Sequence, residues 1–332
     1  MKKLRWGILG CAQIAINDVI PAIQQSEWGE VAAIASRDEA KAKKAAEALS
    51  IPKAYSSYEA LLGDSSIDAV YIPLPNHLHR EWTIRAAQAN KHILCEKPMS
   101  LNEREAAQMV EASELNGVKL AEAFMYRYHP RYERIKEIIR SGEIGDLRGL
   151  QGRFTFNGAS SAGNIRFHAD MGGGSLYDVG CYLVSAARLL LEREPEAATV
   201  QALFSPDHGN VDMMASGLLE FGQGLNLTFQ CGMWADFRNS LEIFGTDGYI
   251  EIPNAFLPWS GLDPSFIVSV KGERREEIAA SLNTYQLQAD QFARSILLDE
   301  PLPFSPWDAV ANMKVLDGLL QSAREKIRVE LK

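Results

Sequence analysis

The feature that most restricts the fold is an alternation that fills roughly the first 120 residues, the order of elements expected of βαβ units. Short apolar runs at 4–9, 31–35, 69–72 and 92–95 are separated by Ala-rich stretches with helical spacing. Between the second and third runs, Ala42, Ala45, Ala46 and Leu49 fall at i, i+3, i+4 and i+7, one face of a helix. Asn102, with Glu105 three residues on, gives a capping-box start to a further helix, and Gly117 gives it a stop. Parallel strands joined by helices form a sheet covered on both faces, so this half reads as doubly wound α/β.

After about residue 146 the pattern becomes β-rich, with expected strands at 147–156, 199–204, 213–221, 225–231, 241–244, 249–252 and 266–270. Gly222-Gln223-Gly224 and Thr246-Asp247-Gly248 read as hairpin turns, which favours antiparallel pairing. Helical spacing returns at Leu183, Ala186, Ala187 and Leu190, at Tyr285, Ala289, Phe292 and Ile296, and at Ala309, Met313, Leu316 and Leu320. Composition narrows the function classes. With 34 basic and 43 acidic residues, net charge −9, the chain opposes a phosphate backbone, so no nucleic-acid partner is expected. Cys11, Cys95, Cys181 and Cys231 are widely spaced without CxxC, which points to neither zinc nor a disulfide framework and makes a reducing cytoplasm the expected location. No 18-residue apolar run or signal-peptide pattern occurs, so no membrane association is expected.

The chemistry-bearing residues cluster where the expected strands end. Gly7-Ile8-Leu9-Gly10-Cys11-Ala12-Gln13-Ile14-Ala15 follows the first strand and leads into a helix, the position of a dinucleotide-binding turn. Gly10 permits the tight turn, and the backbone N–H groups of Cys11, Ala12, Gln13 and Ile14 would face a pyrophosphate. Ala12 replaces the second glycine of the fingerprint, and close strand–helix packing is the alternative reading of these small residues. The second strand ends in Ser36-Arg37, a hydroxyl beside a guanidinium, which suits a 2′-phosphate and makes NADP the expected cofactor. NAD is the alternative, with Arg37 solvated, Ser36 a helix cap and Asp38 turned toward a ribose. The third strand runs into Pro73-Leu74-Pro75-Asn76, where Asn76 and His79 either cap the next helix or bind the nicotinamide ribose. The fourth ends in Glu96-Lys97-Pro98, a charged pair fit for chemistry or a plain surface ion pair.

Taken in order, these motifs resemble the glucose-fructose oxidoreductase and inositol dehydrogenase family, Gfo/Idh/MocA. The resemblance covers essentially the whole chain. It rests on Gly7-x-x-Gly10, Pro75-Asn76-x-x-His79, Glu96-Lys97-Pro98, Glu122 through Arg127 to His129-Pro130, and Gly172-Gly173-Gly174 through Asp178 and Gly180 to Tyr182. It implies an N-terminal Rossmann NADP-binding domain at 1–122. It also implies an α+β domain at 123–332 with a large, mostly antiparallel open sheet that binds substrate and dimerises, giving a homodimer or a dimer of dimers. The cofactor would lie in the cleft between the domains. Many members carry Asp-x-x-x-His, whereas this chain keeps Asp178, places Tyr182 at the histidine position and Ser185 where a second Asp would stand. That pattern is similar to the branch containing dimeric dihydrodiol dehydrogenase, NADP-dependent xylose dehydrogenase and 1,5-anhydrofructose reductase.

The resemblance implies hydride transfer between a nicotinamide and a secondary alcohol or ketone of a sugar, polyol or cyclic diol. Tyr182 would be the acid/base and Lys97 its electrostatic partner; the alternative for Tyr182 is a core residue at a helix start, its ring packed and its hydroxyl satisfied. A phenol near pKa 10 needs a nearby cation to act as a base at pH 7, and Lys97 with the nicotinamide ring supplies one. Asp178 orients Lys97 or a substrate hydroxyl, or is a buried structural carboxylate. Arg127 serves the cofactor or the substrate, His129 lies in a segment that lines the cleft in relatives, and Arg166 is expected to be a surface arginine. The triple glycine lets backbone pass close to a ligand or another strand, or forms a flexible loop. Trp259 and Trp307 are either a sugar platform or core. The competing function classes are a non-catalytic NAD(P)-binding regulator and an NAD-dependent redox glycosidase.

Overall fold

In the computed structural model, which describes residues 2–160, 163–257 and 262–331, six strands form a parallel sheet. They are β1 (Leu4–Leu9), β2 (Gly29–Ala35), β3 (Lys53–Tyr55), β4 (Ala69–Ile72), β5 (His92–Cys95) and β6 (Leu120–Glu122), in the spatial order β3-β2-β1-β4-β5-β6. Leu4, Trp6, Ile8 and Leu9 of β1 are fully buried, as are all four residues of β4, because helices cover both faces. The order reverses between β1 and β4, so Gly10 and Pro73 follow the two strands that flank the switch point, where open α/β sheets bind ligands. The strands expected from apolar runs are all present. β3 and β6, three residues each, are too short to stand out as runs.

Local signals set the helix starts. Asp38 caps the Glu39–Ala48 helix by accepting from Lys41 N at 3.1 Å. Asn102 caps the Glu103–Leu115 helix through Glu105 N at 2.9 Å. The Glu105 carboxylate reaches back to Leu101 N at 3.3 Å, one residue earlier than a capping box would place it. Gly117 adopts φ +63° just beyond that helix.

The chain forms two compact units, the first built from residues 1–125 and 283–310, the second from 126–282 and 311–332. This corrects the expectation that 123–332 is one continuous domain. The Thr284–Leu297 helix belongs to the first unit because Phe292 packs on Trp6, ring centroids 5.4 Å apart, while Asp290 bonds Ser26. Lys119 Nζ further donates to Ser295 O at 2.5 Å and Glu300 O at 2.7 Å.

The second unit holds a nine-stranded sheet. Its strands are β7 (Leu147–Asn157), β8 (Ala197–Ser205), β9 (Val211–Glu220), β10 (Asn226–Gly232), β11 (Trp234–Gly245), β12 (Gly248–Ile252), β13 (Phe266–Val270), β14 (Glu273–Glu277) and β15 (Val329–Glu330). They lie in the order β14-β13-β12-β11-β7-β10-β9-β8-β15, antiparallel except for the β7–β10 pair. Both hairpins read from the glycine turns are present, linking β9 to β10 and β11 to β12. β14 carries five charged residues and no apolar alternation, so nothing in its side chains announced a strand; charge on an edge strand deters further pairing. A helical run over 176–191, a π-turn at Leu176–Gly180 continuing into Cys181–Leu191, packs on the sheet. Gly152 of β7 makes room for it, since a Cβ there would come 2.5 Å from Leu183 Cδ2.

Candidate active site

Gly10 sits at φ +116°, a conformation that L side chains rarely adopt, and its N–H donates to Ala35 O at 2.8 Å, closing the turn at the end of β1. An added Cβ would stand 3.0 Å from Leu74 Cδ2, so Leu74 packs directly on the turn. Helical structure begins at Gln13, and Ile16 N donates to Ala12 O at 3.1 Å. The N–H groups of Cys11, Ala12, Gln13 and Ile14 therefore belong to the start of that helical run, the group of donors a pyrophosphate needs.

At the end of β2, Ser36 is buried and its hydroxyl accepts from Asp38 N at 3.1 Å. Asp38 caps its own helix through Oδ1, which accepts from Lys41 N at 3.1 Å. Arg37 lies against the Tyr58 hydroxyl; burial pushes the Tyr58 pKa up while the guanidinium pulls it down. Tyr58 is itself held edge-on by Trp82 at 4.7 Å. Cys11 is nearby, its thiol pKa raised by burial and partly offset by a hydrogen bond with Ser36. Tyr58 was not singled out from the sequence; its position on a separate helix, Tyr58–Leu62, hid the relation. A glycine-turn donor set beside a hydroxyl and a guanidinium fits a 2′-phosphorylated dinucleotide.

His79 corrects its expected role. It is fully buried, with Nε2 at 2.7 Å from Leu74 O and Nδ1 at 3.0 Å from Pro98 O, so it joins the Pro73–Pro75 loop to the Pro98 turn and neither caps a helix nor faces a ligand. The two carbonyls favour the imidazolium, but burial dominates and holds its pKa at about 4. Asn76 is the first residue of the Asn76–Gln88 helix, whose cap position is Pro75, so side-chain capping by Asn76 is also set aside. Glu96 accepts from the buried Tyr71 hydroxyl at 2.6 Å, and Glu122 accepts from Met99 N at 2.8 Å. The turn that presents Lys97 is thus fastened to β4 and β6, with a cis Lys97–Pro98 bond, which distinguishes Glu96 from a solvated surface charge.

In the second unit, Asp178, Tyr182 and Ser185 recur along the 176–191 helical run. Tyr182 is buried among the rings of Phe154 (5.3 Å), Phe256 (5.6 Å) and Tyr126 (5.9 Å). One turn before it, the Asp178 carboxylate takes Arg166 Nε at 2.7 Å. One turn after it, Ser185 Oγ takes Arg127 Nε at 2.9 Å and contacts Tyr126 Oη at 2.5 Å. Arg166, expected as a surface arginine, has a side chain 43% exposed, and its guanidinium is also paired with Asp178, whose side chain is 15% exposed. His129 is structural: Nε2 lies 3.0 Å from Ala280 O, and burial with the neighbouring Arg131 holds its pKa at about 4.

The triple glycine is explained by close backbone approach. Gly173 N donates to His168 O at 2.9 Å and Gly174 N to Arg166 O at 3.0 Å. Side chains at Gly173 or Gly174 would collide with Arg166 O or with Asp212 Oδ1 respectively. Asp212, missed in the sequence, is 2% exposed and accepts from Leu176 N at 2.7 Å and Ser175 Oγ at 2.8 Å, so it fixes the start of the site helix. Trp259 lies outside the described residues. Trp307 is not core but 42% exposed, and its Nε1 donates to Glu114 at 2.8 Å.

Residues 4–124 match the model of an oxidoreductase family with an NAD-binding Rossmann fold, and residues 132–251 match the Gfo/Idh/MocA C-terminal domain. The chain belongs to the Gfo/Idh/MocA oxidoreductase family. This is a family of NAD(P)-dependent sugar oxidoreductases. A D-xylose 1-dehydrogenase (NADP(+)) of Haloferax volcanii is 40% identical over 99% of this chain and 100% of that protein. A trans-1,2-dihydrobenzene-1,2-diol dehydrogenase of Xenopus laevis is 30% identical over 98% of each. Among solved structures, a 3-ketoreductase from Actinomadura kijaniata in complex with NADP and TDP-benzene superposes with a TM-score of 0.92 at 30% identity, covering 97% of this chain and 98% of that one. These Gfo/Idh/MocA relatives match both units of the chain along their length.

Proposed function

We propose that this protein is an NADP-dependent oxidoreductase that moves a hydride between nicotinamide and a secondary alcohol or ketone carbon of a sugar, polyol or cyclic diol. The observation that carries the reading is Tyr182, set in an aromatic box on a helix whose adjacent turns hold Asp178 with Arg166 and Ser185 with Arg127. When bound, the nicotinamide supplies the site that accepts or gives the hydride. In oxidation, Tyr182 Oη as phenolate takes the hydroxyl proton of the substrate; in reduction, the neutral phenol returns that proton to the carbonyl oxygen. Lys97 is the cation that favours the phenolate and orients the reacting oxygen. Gly10, Cys11, Ala12, Gln13 and Ile14 hold the pyrophosphate; Ser36 and Arg37 take the 2′-phosphate; Pro73, Leu74, Asn76 and Glu96 shape the nicotinamide side; and Arg127 serves the cofactor or substrate.

Two features support NADP over NAD: Ser36 and Arg37 stand together at the end of β2, and the Haloferax relative is named for NADP(+). We further propose a homodimer or dimer of dimers through the nine-stranded sheet, acting in the cytoplasm, where its four cysteines stay reduced. No helix among the described residues is long and apolar enough to cross a membrane. The test is a Tyr182→Phe protein assayed for NADP reduction with D-xylose, other aldoses, polyols and trans-cyclohexane-1,2-diol. Loss of turnover by about two to four orders of magnitude with unchanged NADPH binding is expected from removal of an acid/base group. Activity near that of the parent protein contradicts the assignment.

A further inference from the structure

The Tyr182 hydroxyl needs a cation to act as a base at neutral pH, and the second unit contains one of its own. Arg166 stands on a short turn, Ile165–Phe167, fixed on several sides. Its N–H donates to Asn164 Oδ1 at 3.1 Å and its carbonyl accepts from Gly174 N at 3.0 Å. The next residue, Phe167, packs edge-on against His208 at 4.9 Å. The side chain is therefore launched from a fastened backbone toward the site helix, where Nε meets Asp178 at 2.7 Å. Asp178 precedes Tyr182 by four residues, about one helical turn, which brings the two side chains to one face. The guanidinium carbon also lies 5.8 Å from the centroid of the Phe156 ring.

We propose that Arg166 is a positioning residue whose guanidinium lowers the proton affinity of Tyr182, with Asp178 as the opposing charge that sets how far. The proposal rests on the reading of Tyr182 as the acid/base. Among the described residues, the charged and titratable groups placed near Tyr182 in this unit include Asp178 on its own helix, Arg166 on its turn, and Tyr126 and Arg127 on the Met125–Tyr128 segment, the last two engaged by Ser185. The electrostatics agree in direction: Asp178 first, and then Tyr182, favour the charged form of Arg166 against the opposing effect of burial. By reciprocity, the guanidinium favours the phenolate.

Two substitutions separate this from a purely structural role because they move the phenol in opposite directions. Arg166→Gln removes the cation while the Asp178 carboxylate stays, so Tyr182 holds its proton more tightly. Asp178→Asn removes the anion and leaves Arg166 unopposed, so Tyr182 releases its proton more readily. The measurement is NMR titration of the full-length protein labelled at tyrosine Cζ, over about pH 7 to 11, with the Tyr182 signal assigned by its absence in Tyr182→Phe. The midpoint should rise by about one unit, a tenfold change in proton affinity, in Arg166→Gln. It should fall in Asp178→Asn and return close to the parent value in Arg166→Lys.

Shifts of the same sign in the Gln and Asn variants, no shift in either, or a parent Tyr182 that stays protonated throughout would overturn the proposal. Should Arg166→Gln not fold, the Asp178→Asn and Arg166→Lys titrations decide it by the same signs. The titration uses neither cofactor nor substrate. A titration that behaves as expected in a protein whose Tyr182→Phe variant remains fully active would refute the acid/base reading and leave the electrostatic inference standing.

Discussion

The two backbone carbonyls at the ring nitrogens of His79 favour the imidazolium, but complete burial outweighs them and holds the side chain neutral, its pKa of about 4 lying below the ordinary 6.5. The unfolded chain therefore binds the proton first as pH falls, so stability from this residue is complete above pH 6.5 and is lost down toward pH 4. Over that window the loss is on the order of a few kcal/mol. His129 has the same sign. Asp212 has the opposite sign: burial raises its pKa to about 6, so its contribution grows as pH falls from about 6 toward the ordinary carboxylate range. Urea midpoints at pH 7, 6 and 5 should decline in the parent protein and decline less steeply in His79→Gln. An equal decline in both would show that His79 does not hold the proton linkage assigned to it. The sequence placed His79 beside the Pro73–Pro75 loop but not in its role, because folding is what brings the carbonyls of Leu74 and Pro98 to its two nitrogens.

At the scale of elements, the helical run carrying Asp178, Tyr182 and Ser185 depends on how it starts. Gly174 adopts φ +114°, and a side chain there would strike the Asp212 carboxylate that caps Leu176. Gly174→Ala should cost more than about 2 kcal/mol, backbone strain adding to a displaced buried carboxylate, and should lower activity along with the urea midpoint. An unchanged midpoint would contradict the close approach. Strands with apolar runs and the glycine hairpins could be read from the sequence because their signals are local. β14 could not, since its five residues are all charged and its place in the sheet comes from backbone pairing with β13 and ion pairs to Glu143, Arg134 and Glu251, all distant in sequence. Nor could the cap by Asp212 on β9, which lies 36 residues beyond the N–H it holds. The Arg166–Asp178 pair hides for the same reason, a 12-residue separation across the triple-glycine turn.

For the whole molecule, the family signature was legible because its five motifs are contiguous in sequence and keep their order. The limits of the first unit were not, since residues 283–310 return to it through Phe292 packing on Trp6. The first unit is expected to hold a 2′-phosphorylated nicotinamide dinucleotide, which Gly10, Ser36 and Arg37 are arranged to accept. The measurement that tests it most directly is fluorescence titration of the purified protein with NADPH and with NADH, in the parent and in Arg37→Ala. The account predicts tighter binding of NADPH than of NADH. It also predicts a loss of NADPH affinity of about tenfold or more in the variant, the scale of one charge-assisted hydrogen bond, with NADH nearly unaffected. Equal or tighter binding of NADH, or an Arg37→Ala protein that binds NADPH as the parent does, would contradict it.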